Sequence, residues 1–249
     1  MLTVEQKERY ARHLILEGLG EEGQLQLFRG SVLVIGAGGL GSPALYYLVA
    51  AGVGRVGVVD SDVVELSNLQ RQIVHSTGSL GRLKVDSAVA ALKPLNPQVE
   101  LTAYPLRVSG HNIASLIKEY DFVIDATDNF ESKFLINDAC VAGGKAYSHG
   151  GILRYNGQTM TIIPGKSPCY RCIFPEALDG EDAIACSKAG VLGVLPGIIG
   201  TLQATEAIKF LTGIGDLLLG RLLTYDSAAM KFREVTVRRN AVCPVCRES

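Results

Sequence analysis

Glycines and one acidic residue early in the chain have the types and spacing that bind a nucleotide. The glycines of the stretch GAGGLG are Gly36, Gly38, Gly39 and Gly41. Glycines allow the backbone to turn sharply and to approach a phosphate, while the N–H groups of a following helix N-terminus face its charge. Asp60 follows these glycines at close to the sequence spacing of the acidic residue that accepts a hydrogen bond from a ribose hydroxyl. The pattern predicts a nucleotide site, and the alternative is a turn whose glycines only allow close packing.

Charged side chains after these glycines help to choose the nucleotide. A helix N-terminus can largely bind the pyrophosphate of a dinucleotide, whereas a triphosphate generally also recruits Arg, Lys and magnesium. The candidates are Asn68 and Arg71 in a long polar loop, Lys84 in the next helix, and Asp128 at the end of a later strand. Each has a structural alternative, since Asp128 could cap a helix, Lys84 could be a surface residue and Asn68 could shape a loop. Their joint placement favours ATP with Mg²⁺.

Four of the six cysteines form two C-x-x-C pairs, which is the spacing of zinc ligands. The pairs are Cys169 with Cys172, and Cys243 with Cys246. Four thiolates complete a tetrahedron, so the expected site is a closed structural Zn²⁺ site that fastens the end of the chain to residues 169–172. Disulfides and a thioredoxin-like redox role are the alternatives, and a reducing compartment disfavours the first of these.

The elements that must position these residues alternate between strand and helix through the first 150 residues. An apolar run at 32–35, the glycine turn and a helix are followed by strands predicted near 56–59, 99–104, 121–126 and 145–149. Helices are predicted near 3–18, 79–93, 110–119, 130–142 and 194–212. This alternation predicts a Rossmann-like, mostly parallel α/β sheet with helices on both faces.

The pattern changes after residue 150. Asn156-Gly157 lies between expected strands at 152–155 and 158–163 and predicts a hairpin turn, and strands near 221–226 and 231–237 form a second antiparallel pair. We expect a single domain over 1–249, with a helical segment at 1–28, a nucleotide-binding part at 29–150, and an antiparallel and zinc-binding part at 151–249.

Composition limits the class of protein. With 249 residues, 47% of them hydrophobic, the chain can build a real core, and its net charge of −1 lacks the basic footprint of nucleic-acid binding. Glycines and Pro43 divide the uncharged stretch 30–54 into a strand and a helix, so we expect no membrane span. The first residues are polar where a signal peptide would be apolar, which predicts a cytoplasmic protein.

Taken together, these motifs resemble the MoeB/ThiF/HesA family, the bacterial relatives of ubiquitin-activating enzymes. The resemblance rests on GAGGLG, the stretches at 60–62 and 67–72, Lys84, residues 127–129, the two C-x-x-C pairs, and residues 10–12. It covers essentially the whole chain. It implies adenylation of the C-terminal glycine carboxylate of a ubiquitin-like sulfur carrier ending in Gly-Gly, with ATP as the substrate and pyrophosphate as a product.

The resemblance also implies roles for single residues. Asp60 would hold the ribose, Gly39 and its neighbours would approach the nucleotide, and Asn68, Arg71 and Lys84 would neutralise phosphates. Asp128 would hold Mg²⁺, and Arg12 would reach the phosphates of a partner subunit, which implies a homodimer. The antiparallel part at 151–249 would face the carrier, and the carrier-facing surface would include the loop at 175–186. The same motifs contribute further nucleotide-binding candidates: Asp62, Ser67, Leu69, Gln70 and Asn129.

The two remaining cysteines have different expectations. Cys186 matches a position where some family members use a cysteine that bonds to the carrier, and Lys188 could favour its thiolate; a plain core role is the alternative. Cys140 lies between apolar neighbours in a predicted helix and is expected in the core. Because the chain ends soon after Cys246 without a rhodanese-like extension, we expect a separate protein to donate sulfur unless Cys186 takes part.

Two other functions compete with adenylation. An NAD-dependent oxidoreductase would need a positioned acid or base, and the histidines at 13, 75, 111 and 149 form no obvious constellation. It would also leave Arg71, Lys84 and Asp128 unexplained. The other possibility is a module that binds a nucleotide without turnover. Carriers of the molybdopterin, thiamin and related sulfur pathways all suit these motifs.

Overall fold

A computed structural model describes residues 1–175 and 190–247. In these residues, eight strands form one sheet in the order β3-β2-β1-β4-β5-β6-β7-β8. The strands are β1 (Ser31–Ile35), β2 (Arg55–Val59), β3 (Glu100–Tyr104), β4 (Phe122–Asp125), β5 (Ala146–Leu153), β6 (Asn156–Ile162), β7 (Arg221–Asp226) and β8 (Lys231–Thr236). Strands β1 to β5 run parallel and β6 to β8 continue the sheet antiparallel, as the sequence predicts.

Helices cover both faces of this sheet. They are α1 (Val4–Arg9), α2 (Ala11–Leu14), α3 (Gly20–Arg29), α4 (Gly41–Ala51), α5 (Lys84–Leu92), α6 (Ile113–Lys118), α7 (Phe130–Ala142), α8 (Tyr170–Ile173) and α9 (Leu195–Thr212). Short 3₁₀ turns occupy Leu66–Asn68 and Thr77–Ser79. One face buries α4 and α9 residues such as Leu48 and Ile199, and the other buries Ile136, Cys140 and the zinc-ligand candidates. Cys140 is thus a core residue, as expected.

Helix α9 fixes the start of α4 through contacts that leave no room for a side chain. A Cβ atom built on Gly200 would lie 2.1 Å from the carbonyl oxygen of Leu40. Similarly, a Cβ atom on Gly39 would lie 3.0 Å from a carbon of Pro196, at the beginning of α9. The long C-terminal helix therefore packs directly behind the glycine turn and holds it in place.

Two local predictions are wrong. The single helix expected over 3–18 is two short helices, because Tyr10 turns into the core, where its hydroxyl accepts a hydrogen bond from Asn96. The hairpin expected at Asn156-Gly157 instead turns at residues 154–155, between Leu153 and Asn156. Gly157 is a strand residue, and a Cβ atom on it would lie 2.5 Å from Ile199, so its glycine serves packing against α9.

The described helices contain none that combines the length and the apolar character required to span a bilayer. The helix of 18 residues, α9, is instead packed against α4, β4, β5 and β6. The uncharged stretch 30–54 is divided between β1 and α4, as the sequence predicts.

Candidate functional site

A cavity of about 330 Å³ opens at the carboxyl ends of the parallel strands, beside the neighbouring strands β1 and β4. This is the crevice at which open α/β sheets bind their ligands, because the strand order reverses there. Its polar and charged lining comes from the segments that the sequence singled out: Gly36, Gly38, Gly39, Asp60, Asp62, Arg71, Lys84, Asp128 and Asn129.

The glycine turn needs glycines for two different reasons. Gly36 has φ of +107°, and its N–H donates to the carbonyl oxygen of Val59 at 2.8 Å. A Cβ atom on Gly36 would lie 2.6 Å from the carbonyl oxygen of Ala126, so this residue brings the turn against the end of β4. Gly41 instead lies in the first turn of α4, where a Cβ atom would lie 1.9 Å from the carbonyl oxygen of Gly36.

Two side chains hold the peptide groups of Ala37, inside the glycine turn. Asp60 accepts the Ala37 N–H through Oδ2 at 2.8 Å and the Asp62 N–H through Oδ1 at 2.9 Å. The Nε2 atom of His75 lies 2.9 Å from the Ala37 carbonyl oxygen, and Nδ1 lies 2.9 Å from Ser87 Oγ. Because a carbonyl only accepts, Nε2 carries the proton and donates. Burial lowers the pKa of His75, which keeps this ring neutral.

Lys84 is the buried cation of the cavity. It is the first residue of α5, its side chain is 8% exposed, and its Nζ atom lies 3.0 Å from Asp62 Oδ2. The backbone N–H of Lys84 also donates to the Asp62 carbonyl oxygen at 2.9 Å. Arg71 lines the same cavity from the polar loop and donates to the carbonyl oxygen of Ser67 at 3.1 Å. Two cations therefore line the side of the cavity that follows β2.

Asp128 lines the opposite side, on the loop between β4 and α7. This side chain is exposed and does not cap the helix, because the N-cap is Asn129, whose Oδ1 accepts the N–H of Ser132 at 2.9 Å. Its carboxylate oxygens are the ligand type that Mg²⁺ prefers. The structure thus removes the capping alternative for Asp128 and the surface alternative for Lys84.

An apolar wall completes the cavity, and sequence reasoning missed it. Leu106 and Val108 follow β3 and lie with Ile35 and Val59 in the lining. Arg107, between them, pairs with Glu131 at 3.0 Å on an exposed part of the rim. Ser132 and Ile152 also line the cavity. Leu106 and Val108 belong to no motif, so only their position after a predicted strand could have indicated them.

Several predicted residues lie outside this lining. Gly41 packs behind the turn, and the loop residues Ser67, Asn68, Leu69 and Gln70 do not line the cavity. Asn68 shapes the loop, since its Oδ1 lies 3.4 Å from the Glu65 N–H. Arg12 is exposed on α2 and does not line the cavity of its own chain.

The four cysteines of the two C-x-x-C pairs converge, as their spacing predicts. Their sulfur atoms all lie within 4.8 Å of one another, and the measured separations are 3.4 Å (Cys172 to Cys246), 3.6 Å (Cys169 to Cys243) and 4.0 Å (Cys169 to Cys172). A tetrahedron with Zn–S bonds of about 2.3 Å has sulfur atoms about 3.8 Å apart. The cluster therefore has the size and ligand chemistry of a closed zinc site.

Helix α7 holds this cluster against the sheet. Asp138 receives two hydrogen bonds from Arg171, each of 2.8 Å, and Asn137 Oδ1 accepts the Tyr170 N–H at 2.8 Å. Asn137 also accepts the hydroxyl of Tyr147 from β5. The N-terminus of α7 follows the Asp128 loop, so this helix contacts both the cavity and the cysteine cluster.

Cys186, Lys188 and most of the expected carrier-facing loop at 175–186 lie outside the described residues.

Comparison with known proteins identifies a family and similar proteins over nearly the whole chain. A model described as the ThiF family matches residues 10–245. The sulfur carrier protein adenylyltransferase of Thermus thermophilus is 49% identical over 249 residues, an alignment that covers 98% of this chain and 92% of that protein. The SAMP-activating enzyme E1 of Haloferax volcanii is 48% identical over 247 residues and is covered to 91% of its length, with 99% of this chain.

A solved structure has the same fold at lower sequence identity. The E. coli MccB structure with ATP superposes with a TM-score of 0.83, at 23% identity, over 96% of this chain and 74% of that chain. At this identity the likeness concerns the fold alone.

Proposed function

Because the chain belongs to the ThiF family, we propose that it is an ATP-dependent adenylyltransferase acting on a ubiquitin-like sulfur-carrier protein. An oxygen of the carrier's C-terminal glycine carboxylate attacks the α-phosphorus of ATP. A bond forms between these two atoms, the bond from the α-phosphorus to the bridging oxygen breaks, and pyrophosphate leaves with the bonding electrons. The observation that carries the proposal is one cavity whose lining includes the glycine turn, the cations Lys84 and Arg71, and the carboxylate of Asp128.

Different residues of the lining match the adenine, the ribose and the phosphates of ATP. The apolar wall of Leu106 and Val108 suits the adenine ring, and Asp60 suits the ribose. Both carboxylate oxygens of Asp60 already accept one backbone N–H, and each retains a lone pair for a ribose hydroxyl. Lys84 and Arg71 suit the phosphates, on the side of the cavity next to the glycine turn.

Catalysis in this site consists of positioning and charge neutralisation. The carrier's carboxylate is already ionised near neutral pH and needs no base, so no side-chain nucleophile is required. Lys84 and Arg71 stabilise the charge that develops on the transferred and leaving phosphates. Asp128 is the residue that would hold Mg²⁺, and the metal would neutralise phosphate oxygens when bound.

The four-cysteine cluster would hold one Zn²⁺ with a structural role. All four tetrahedral positions would be filled by Cys169, Cys172, Cys243 and Cys246, which leaves none for a substrate. The ion would join the C-terminal segment to α8 and, through Asp138 and Asn137, to α7.

We also propose a homodimer in which Arg12 reaches the partner's phosphates. Its support is the exposure of Arg12 together with the exposure of apolar neighbours, since Ile15 and Leu16 are 74% and 53% exposed. Apolar side chains that cluster on a surface commonly mark a protein interface. A separate sulfur donor and a cytoplasmic setting belong to the same proposal.

The oxidoreductase alternative has no observation in its favour. The relatives described above have adenylyltransferase and activating-enzyme names. Among the described residues, no histidine lines the cavity, and His75 instead supports the glycine turn.

Carrier-dependent exchange between ATP and labelled pyrophosphate tests the proposed function, because only reversible adenylation returns label to ATP. We expect exchange by the wild-type protein with Mg²⁺ and a Gly-Gly carrier. Asp128→Ala should abolish exchange without a change in Tm. Asp86→Ala removes an exposed acid of α5 that does not line the cavity, and should retain exchange. Full exchange by Asp128→Ala would remove the proposed magnesium role.

A further inference from the structure

A buried charged cluster lies at the end of β4, immediately before the loop that carries Asp128. Asp125, the last residue of β4, has a side chain only 1% exposed. Lys133 Nζ lies 3.1 Å from its Oδ2 and 3.3 Å from its Oδ1, and also donates to the Gly150 carbonyl oxygen at 2.5 Å. The ammonium group of Lys133 therefore contacts oxygen atoms of two neighbouring strands, the Asp125 carboxylate at the end of β4 and the Gly150 carbonyl in β5.

The remaining partners of the Asp125 carboxylate complete the cluster. Thr127 donates to Oδ1 through its hydroxyl at 2.6 Å and its backbone N–H at 3.1 Å, while His149 Nδ1 lies 3.2 Å from Oδ2. Burial alone would raise the pKa of Asp125, but the Lys133 charge and the hydrogen bonds of His149 and Thr127 outweigh it and hold this pKa at about 2. Burial lowers the pKa of His149, so the neutral ring donates its Nδ1 proton.

The cluster joins the segments on either side of the Asp128 loop. Ala126 N–H donates to the Ile35 carbonyl oxygen at 2.9 Å, which binds the start of the loop to β1. At its other end Asn129 caps α7, and Lys133 extends from the next turn of that helix back to Asp125. The ammonium–carboxylate contact between Lys133 and Asp125 therefore joins the two ends of the loop.

Gln203 of α9 contacts the same two strands, β4 and β5, from the adjoining helix. Its Nε2 atom donates to the carbonyl oxygens of Asp125 at 2.8 Å and Ser148 at 3.1 Å. A Cβ atom on Gly150 would lie within 2.7 Å of the Gln203 amide, so the backbone of β5 approaches α9 only because Gly150 has no side chain.

Stability alone does not account for this arrangement. Replacing a buried ion pair with apolar residues of similar volume is often neutral or stabilising, since desolvation offsets the charge attraction. A buried ion pair does, however, impose direction on the groups it joins, and supporting residues of this kind orient metal ligands. Here the oriented segment is the loop of Asp128.

We propose that Lys133 is a positioning residue: by joining the Asp125 carboxylate and the Gly150 carbonyl, it fixes the loop from which Asp128 reaches the magnesium–nucleotide complex. This inference rests on the proposed function, since it gives Asp128 a metal to hold. Lys133 itself does not line the cavity and acts through the loop.

Binding of ATP at increasing Mg²⁺ concentration, measured by equilibrium dialysis without a carrier, tests this role. Lys133→Met removes the charge and keeps a similar length. We expect it to raise the Mg²⁺ concentration for half-maximal ATP binding by about 10- to 100-fold. Binding of ATP with a chelator and no metal should remain as in the wild type. Lys133→Arg keeps a cation with several donors and should recover most of the Mg²⁺ response.

Lys145→Met is the matched control. Lys145 is a partly buried lysine just before β5 that donates to the carbonyl oxygen of Tyr120, a contact that does not involve Asp125 or Gly150. It should leave the Mg²⁺ response unchanged. An unchanged response in folded Lys133→Met would overturn the inference. Equal loss of ATP binding with and without Mg²⁺ would also overturn it, because that result indicates collapse of the cavity.

A double variant covers the case in which Lys133→Met fails to fold with an uncompensated carboxylate. Asp125→Asn together with Lys133→Met removes both charges and is expected to fold. If Lys133 positions the loop, the double variant still needs more Mg²⁺; a wild-type response would show that only charge balance mattered. If the wild-type protein binds no ATP at all, the proposed function itself fails, and this outcome is separate from the others.

Discussion

Replacing either of two glycines in the glycine turn with alanine should have different effects. Gly41→Ala should lower the stability of the protein, and Gly38→Ala should weaken its binding of ATP. A Cβ atom on Gly41 would lie 1.9 Å from the carbonyl oxygen of Gly36, whereas carbon and oxygen atoms in contact are normally about 3.3–3.6 Å apart. The backbone must therefore move by more than about 1 Å. Such overpacking costs about 3 kcal/mol, which for a chain of this size lowers Tm by about 6–12 °C.

Gly38 meets no such obstacle inside the fold. A Cβ atom there would lie 3.5 Å from Gln72 Nε2, an ordinary contact, and Gly38 is not among the glycines with positive φ. Gly38→Ala should therefore change stability by no more than about 0.5 kcal/mol. Because Gly38 lines the cavity, the new methyl group should separate the backbone from a phosphate. Loss of one hydrogen bond to a charged group raises the Kd for ATP by about 10- to 150-fold.

Thermal unfolding without nucleotide and calorimetric titration with ATP separate the two effects. We expect Gly41→Ala to melt well below the wild type, and Gly38→Ala to melt like the wild type but bind ATP weakly. The reasoning is refuted if Gly41→Ala keeps the wild-type Tm, or if Gly38→Ala keeps the wild-type affinity for ATP.

Three further predictions concern the charged and metal-binding groups. Lys84→Met should weaken ATP binding by about 10- to 100-fold in a calorimetric titration, because the cavity loses its buried cation, and unchanged affinity would separate Lys84 from the phosphates. The pKa values of His75 and His149 are lowered in the folded state, so the unfolded chain binds more protons below about pH 6.5; Tm should fall as pH decreases from there, and His75→Gln should reduce that slope. Cys172→Ser should lower bound zinc, measured by metal analysis, below one ion per chain and decrease Tm, and full zinc content with the wild-type Tm would contradict the four-sulfur site.

Elements with a strong local pattern were predictable from sequence. Helix α7 has the predicted bounds of Phe130–Ala142, and β7 has those of Arg221–Asp226. The position of the hairpin turn was not predictable from sequence, because Gly157 is required by a contact between distant segments. Ile199, 42 positions later in the chain, occupies the space that a Cβ atom on residue 157 would need. Local turn signals do not reveal contacts between distant segments.

The same distinction holds for the site. Lys84, Asp128 and the cysteine pairs follow recognisable motifs; the structure places Lys84 and Asp128 in the lining of one cavity and brings the four cysteines together. Leu106 was missed because an apolar residue after a strand has no distinctive chemistry. His75 was missed as a support of the glycine turn because its partners, Ala37 and Ser87, are distant in sequence. The roles of such residues can be recognised only in the folded structure, where the sheet brings its loops together.

The mass of an intact carrier protein tests adenylation most directly. The purified protein is incubated with ATP, Mg²⁺ and a panel of ubiquitin-like carriers ending in Gly-Gly, with each carrier also supplied without its last glycine. We predict that at least one full-length carrier gains the mass of one AMP group and that its truncated form does not. If the protein binds ATP while no full-length carrier gains AMP, the result contradicts adenylation and favours a module that binds the nucleotide without turnover.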